Sequence, residues 1–300
     1  MKNKLALLLI TGVALAGAVG ASPAFAAMCT PTGFIRDGMN LTAAVIADGD
    51  ISNQTIDANG CNIGIYYGPG TSGTVENSEV FGSNYFGIVA TGEDSLLNVG
   101  TTSVDVTNSK IRNIGEKPFN GAQHGVAVYY YAFSDGASAT GAISRNAVSL
   151  YQKGGIVANG PNAAVSITEN TVTGNGPVPY IAQNGIQIGR GGAGLIMRNQ
   201  VTGHSYTGPA GASSAGILIF GGCGNELTRI IHRGAVGPRD AASRGVVLHG
   251  VGDAGNRGLR FRREVGCGAH APFVTAATWR RARQAWQSRP DRGRRSAGRS

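Results

Sequence analysis

Residues 155–176 read GIVANGPNAAVSITENTVTGNG. They contain two short apolar units of different kinds. The first, Gly155-Ile156-Val157-Ala158, opens on glycine and is apolar at its second and fourth places. The second runs from Ile167 through Asn170 to Val172, apolar at its first and sixth places with a polar residue fourth. Both recur outward from this stretch. The glycine-led unit appears as GIYY at Gly64, GIVA at Gly87, GVAV at Gly125, GIVA at Gly155, GIQI at Gly185 and GILI at Gly216, at intervals of 23, 38, 30, 30 and 31 residues. The other appears as Val75-Ser78-Val80, Val106-Ser109-Ile111, Ile143-Asn146-Val148, Ile167-Asn170-Val172 and Ile196-Asn199-Val201.

Strands this short bury nothing alone. Stacked at about 4.8 Å per turn, they pool their inward side chains into one apolar column. In G-I-x-I the second and fourth residues share a face, which is expected to point inward. The leading glycine is expected to permit a sharp bend at positive φ. The fourth-place Ser or Asn suits a turn, where it can bond backbone and stack on its copies above and below. Two strand types are thus expected to alternate. A propeller or leucine-rich array holds its period tightly, whereas a parallel solenoid tolerates corner loops of any length. The fold class expected is all-β: a right-handed parallel β-helix of about six or seven coils, with an irregular Arg-rich C-terminal tail.

On the stretches 155–176 and NGIQIGRGGAGLIMRNQVTGH (184–204), the chain resembles the parallel β-helix repeat proteins of the pectin lyase-like superfamily over residues 45–223. The resemblance implies the fold. It says little about activity, because such a scaffold carries lyases, hydrolases, epimerases and non-catalytic proteins alike.

One motif points elsewhere. Gly189-Arg190-Gly191-Gly192-Ala193-Gly194 has the G-x-G-x-x-G spacing of a dinucleotide loop. The same spacing stands at Gly68, Gly70 and Gly73, at the equivalent point of another repeat. A dinucleotide loop should open a helix and be followed by an acid about 20 residues on. Another strand-like run follows here, and the next acid is Glu226. The glycines therefore read as coil corners, with no dinucleotide expected.

The N-terminus reads as a secretory signal over residues 1–27: Lys2 and Lys4, an apolar run from Leu5 to Gly20, then Ala24-Phe25-Ala26 as a cleavage site. The mature chain is expected outside the cytoplasm with no transmembrane span. Cys29 and Cys61 are then expected as a disulfide, whereas pairing of Cys223 with Cys267 is left open. No spacing suits a metal.

Charge divides the chain. Residues 1–223 carry 10 Lys and Arg against 12 Asp and Glu, and residues 224–300 carry 16 Arg against 5 acids. The basic pI therefore belongs to the tail, and composition argues against nucleic-acid binding by the domain at 28–223. Beyond about Arg229 both repeat units are expected to stop. Residues 224–300 read as a genuine polyanion-binding tail, a plain extension, or the product of a shifted reading frame. The last accounts best for a break in mid-coil.

Candidate chemistry gathers in QHGVAVYYYAFSDG (123–136). Stacking the repeats brings forward His124, Tyr129, Tyr130, Lys153 and Arg190 as catalytic candidates. His and Tyr can serve as base and acid in a β-elimination. Tyr129, Tyr131, Asn159 and Asn184 come forward as ligand-binding candidates, rings for stacking and amides for hydroxyls. The competing reading has the tyrosines covering apolar surface and His124 capping a bend. Asp48-Gly49-Asp50 reads as a turn more readily than as a Ca²⁺ site, and no cofactor is implied. The partner expected is a polysaccharide or cell-envelope glycan, bound with or without catalysis.

Overall fold

The computed structural model describes residues 28–220 and a strand at 246–249. Residues 1–27, where a signal is expected, Cys223, Cys267 and the rest of 224–300 lie outside the described residues.

Among the described residues there is no helix, and six successive coils each contain three strands rather than two. The first sheet stacks Thr30–Arg36, Met39–Ile46, Ile63–Tyr67, Phe86–Thr91, Val126–Tyr131, Gly154–Asn159, Asn184–Gly189, Ala215–Phe220 and Val246–His249. The second stacks Ile51–Ser52, Ser72–Glu76, Thr101–Thr107, Ser138–Ser144, Ala163–Thr168 and Ala193–Met197. The third stacks Thr55–Asp57, Glu79–Phe81, Lys110–Ile114, Ala147–Tyr151, Thr171–Val178 and Gln200–Tyr206. All pairings are parallel except that of the first two strands. The expected second strand type is thus two strands joined by a corner. Val75 lies in the second sheet, Ser78 at the corner and Val80 in the third sheet.

The inward columns follow the repeat. Ile65, Ile88, Val128, Ile156, Ile186 and Ile217 align in the first sheet, each 3% exposed or less. Val75, Val106, Ile143, Ile167 and Ile196 align in the second. Val80, Ile111, Val148, Val172 and Val201 align in the third. Each fully buried aliphatic side chain contributes on the order of 2 kcal/mol of transfer free energy.

The second-to-third corner is made by one residue per coil at positive φ: Asn53, Asn77, Asn108, Arg145, Glu169 and Arg198. The ladder residue follows it. The Asn170 side chain accepts from the Asn146 backbone N–H (3.0 Å) and amide (2.9 Å). It donates to Ile143 O (2.8 Å) and to Asn199 Oδ1 (2.9 Å). Ser78 and Ser109 continue the ladder with shorter side chains, the Ser78 N–H donating to Ser109 Oγ at 3.1 Å.

The strand glycines differ from expectation. Gly64, Gly87, Gly155 and Gly185 are not at positive φ. They are required by close approach: a Cβ on Gly155 would lie 2.4 Å from Gly185 O, and one on Gly64 2.5 Å from Gly87 O. The GVAV unit also shifts. Val128 pairs with Ile88 and Ile156, so Ala127, not Gly125, holds the glycine place. Beyond the described gap, Val246 pairs with Ile217. Val246–His249 is thus one further strand on the first sheet.

The chain enters through a hairpin. Arg36 pairs with Met39 across Asp37-Gly38, both at positive φ, as a type I′ turn demands. The Cys29–Cys61 disulfide is present and ties this hairpin to the second coil. Phe34 lies over the outer face of the first sheet, its ring 6.1 Å from Tyr66 and 5.6 Å from Tyr131. The paired glycine fingerprints fall at first-to-second corners, with Gly70 at φ 82° and Gly191 at φ 88°.

Candidate functional site

The site grows from a corner. Residues 115–125 lead from the third sheet back to the first, and a buried side chain from the next coil holds them. Gln152 Oε1 accepts the N–H groups of Glu116 and Asn120, both at 3.1 Å. Its Nε2 donates to Ala122 O (2.8 Å) and His124 O (3.3 Å). One amide thus uses both donors and two acceptor sites on a single loop, fixing the backbone of both Glu116 and His124.

Their side chains then meet. His124 Nε2 lies 2.7 Å from Glu116 Oε1, and the imidazole stacks on Tyr85 with ring centroids 3.8 Å apart. The Tyr85 hydroxyl donates to Asp37 Oδ2 at 3.2 Å, at the hairpin tip. Burial, and then this carboxylate, push the Tyr85 hydroxyl up to about 12. His124 Nδ1 is 3.8 Å from the same Asp37 oxygen. An ionised Glu116 requires a proton on Nε2, which leaves Nδ1 as the nitrogen able to take a proton. Asn84 closes the cluster, its amide donating to Glu116 at 3.3 Å.

Beside it, the outer face of the first sheet is an aromatic shelf. Tyr129 stacks on Phe86 at 4.8 Å, and Tyr131 lies 4.9 Å from Phe133. The hairpin covers the near half. The Arg36 guanidinium sits 4.0 Å from the Phe34 ring centre and 4.1 Å from that of Tyr131. Tyr129 is left 8% exposed, and burial raises its hydroxyl pKa. The far half stays open. Tyr131 stands at the boundary, with Arg36 over its ring, and Phe133, Asn159 and Gln187 are half-buried beyond it. Asn184 Nδ2 donates to Gln187 Oε1 (3.0 Å), and Gln187 Nε2 donates to Asn159 Oδ1 (3.1 Å).

The five catalytic candidates are not one group. His124 sits at the corner and Tyr129 on the shelf. Tyr130 is corrected: it takes the fourth, inward place, is fully buried, and donates its hydroxyl to Val104 O at 2.5 Å. The register shift in GVAV explains this. Lys153 stands one coil above Gly125, its ammonium donating to Ala182 O at 2.7 Å, and burial lowers its pKa. Arg190 is exposed at a first-to-second corner, across the sheet from His124. Of the ligand candidates, Tyr131 and Asn159 adjoin on neighbouring strands of the open shelf. Asn184 is buried and reaches that shelf only through Gln187.

The loop acids serve backbone. Asp48 and Asp50 accept from Ser72 N (3.3 Å) and Thr74 N (2.8 Å). Glu93 receives Phe133 N (3.0 Å) and Ser134 N (2.8 Å), thereby setting the Phe133 ring beside Tyr131. Sequence reading missed Asp37, Tyr85, Glu116 and Gln152. Only the carboxylates flanking His124 at a distance offered any signal, and none of the four belongs to the repeat. Among the described residues no cluster of three His, Cys, Asp or Glu is placed to hold a metal, and no helix is long and apolar enough to cross a membrane.

A family model described as right handed beta helix region matches residues 42–230, more than half of the chain. No curated protein and no solved structure matches.

Proposed function

For a chain that belongs to the right-handed β-helix family, we propose an extracytoplasmic, glycan-binding role, with the polysaccharide lying along the open half of the first sheet's outer face. One observation carries this reading: two half-exposed rings, Tyr131 and Phe133, stand beside amides linked across the next two coils. Rings offer apolar faces for sugar stacking, and amides donate to and accept from hydroxyls. Export is supported by the N-terminal signal pattern and by a disulfide, which suits an oxidising compartment.

A panel of polyuronides and neutral glycans tests it by calorimetry. Tyr131→Ala and Asn159→Ala are each expected to weaken the bound glycan about tenfold, with circular dichroism unchanged, since each contact contributes on the order of 1 kcal/mol. Wild-type protein that binds nothing in the panel sinks the proposal.

The Glu116–His124 pair favours a second reading, acid–base cleavage of an acidic glycan. His124 Nδ1 would take the proton from the carbon next to the sugar carboxylate, and the C–H electrons would form a double bond as the glycosidic C–O bond breaks. The leaving oxygen would take a proton from water, and Glu116 would stabilise the imidazolium. Product formation is then expected to drop at least a hundredfold in both His124→Ala and Glu116→Gln. Binding with no product from wild type eliminates this reading and leaves the first.

A further inference from the structure

A separate groove runs across the second-to-third corner, away from the shelf and the histidine. It is lined by Asn53, Asn77, Asn108, Arg145, Glu79 and Lys110 over a floor of Ser78 and Ser109. Four consecutive coils contribute, so it spans about 14 Å along the axis. The ladder place beneath it is serine in the second and third coils, where the fourth to sixth coils have asparagine.

The groove floor is saturated, whereas its walls have capacity left. Ser78 Oγ accepts from Gln54 N (3.1 Å) and donates to Glu76 O (2.8 Å). Asn53 and Asn77 make no side-chain hydrogen bond and are exposed. Arg145 donates from Nε to Asn108 Oδ1 (2.9 Å) and from Nη2 to Thr107 Oγ1 (3.0 Å). That pins its guanidinium at the groove end with three of its five N–H groups unused. Glu79 is already neutralised: Arg112 Nε lies 2.5 Å from it and Lys110 Nζ 3.2 Å, and the Arg112 hydrogen bond holds its carboxyl below the usual range. The surface left over is the amides of Asn53 and Asn77 at coil spacing, then Asn108, whose Oδ1 accepts from Arg145 and whose Nδ2 donates to Glu76 Oε1 at 3.5 Å, with a fixed cation at the end.

We propose that this groove binds a linear acidic glycan, with amides taking the hydroxyls of successive sugars and Arg145 taking a carboxylate. Amides repeated in register suit a periodic polar chain, and a planar guanidinium suits a carboxylate bidentately. The site is independent of the shelf and does not rest on it.

Glycine variants test it cleanly. Asn77, Asn108 and Arg145 all sit at positive φ, so glycine removes each side chain while easing the backbone, and folding is preserved. The probes are linear oligogalacturonates of one to six residues, with neutral oligosaccharides of equal length and a short single-stranded oligonucleotide as controls. Affinity is expected to rise with length and level off at about three or four sugars, the span of the groove. Arg145→Gly is expected to weaken binding tenfold or more and Asn77→Gly about fivefold, whereas Asn159→Ala on the shelf leaves this binding unchanged. The proposal is overturned if both glycine variants bind like wild type, if the monosaccharide binds as well as the tetramer, if the neutral sugar or oligonucleotide binds equally, or if no oligogalacturonate binds.

Discussion

Asn170→Ala is expected to destabilise the domain by about 4 kcal/mol, with a fall in Tm of roughly 8–16 °C. The side chain is 1% exposed and stands in the middle of the ladder. Removing it strands the Asn146 backbone N–H and takes away the donor to Ile143 O. Both groups lie in a dry interior where water cannot replace the lost partner. A buried orphan costs about 1–3 kcal/mol, and two are created besides a small void. Asn170→Ser separates this account from a generic packing loss. Serine already fills the ladder place at 78 and 109, where its Oγ accepts the N–H of the preceding coil. The serine variant should therefore recover about half of the loss. Urea denaturation of both variants decides the matter: equal losses in serine and alanine would show that the hydrogen bonds are not what the ladder contributes.

Acid should weaken the fold through His204. This histidine is 2% exposed, hydrogen-bonded through Nε2 to the Tyr151 hydroxyl, and its Nδ1 has no partner. Burial pushes its pKa down to about 4. Below pH 6.5 the unfolded chain then binds a proton that the folded chain refuses. The stabilisation is complete above pH 6.5 and is lost as the pH falls from 6.5 to 4, by about 3 kcal/mol. The paired variant Tyr151→Phe/His204→Leu removes the titrating group without orphaning the hydroxyl. Between pH 7 and 4.5, wild type should lose about 2–3 kcal/mol more than this variant. Identical slopes in chemical denaturation would mean that His204 does not carry the acid sensitivity.

How far the sequence can be read depends on whether a residue repeats. Ile156, Ile186 and Ile217 were legible because each coil places the same kind of side chain at the same inward point. So was the ladder of Ser78, Asn146 and Asn170, although its strand is really a corner between two. The corner residues themselves were hidden, since Asn77, Arg145 and Glu169 share a backbone angle and no chemistry. Glycine was assigned the right places for the wrong reason: a neighbouring carbonyl excludes a Cβ there. The site was less legible than the scaffold. Tyr129 was expected on an open face, but the hairpin that covers it makes contacts far apart in sequence. Glu116 belongs to an eleven-residue loop, and Gln152 holds that loop from the two-residue corner of the next coil, so no comparison of the strand repeats brings the pair forward. Tyr130 was misplaced by a register slip of two residues at Gly125, which moves it from the sixth place, at a corner, to the fourth, inward place of the strand.

The stacking has one more consequence. The eleven residues of loop 115–125 and the two of 152–153 span the same kind of corner, yet the strands they join keep register with their neighbours. Position along the molecule is therefore counted in coils and not in residues. Any corner can gain or lose length without displacing the chemistry above or below it. A whole coil, such as the 30 residues from Gly155 to Asn184, is a unit that copying or deletion can pass through intact. The protein is built like a ruler whose divisions are fixed while the amount of chain wound into each is free to vary.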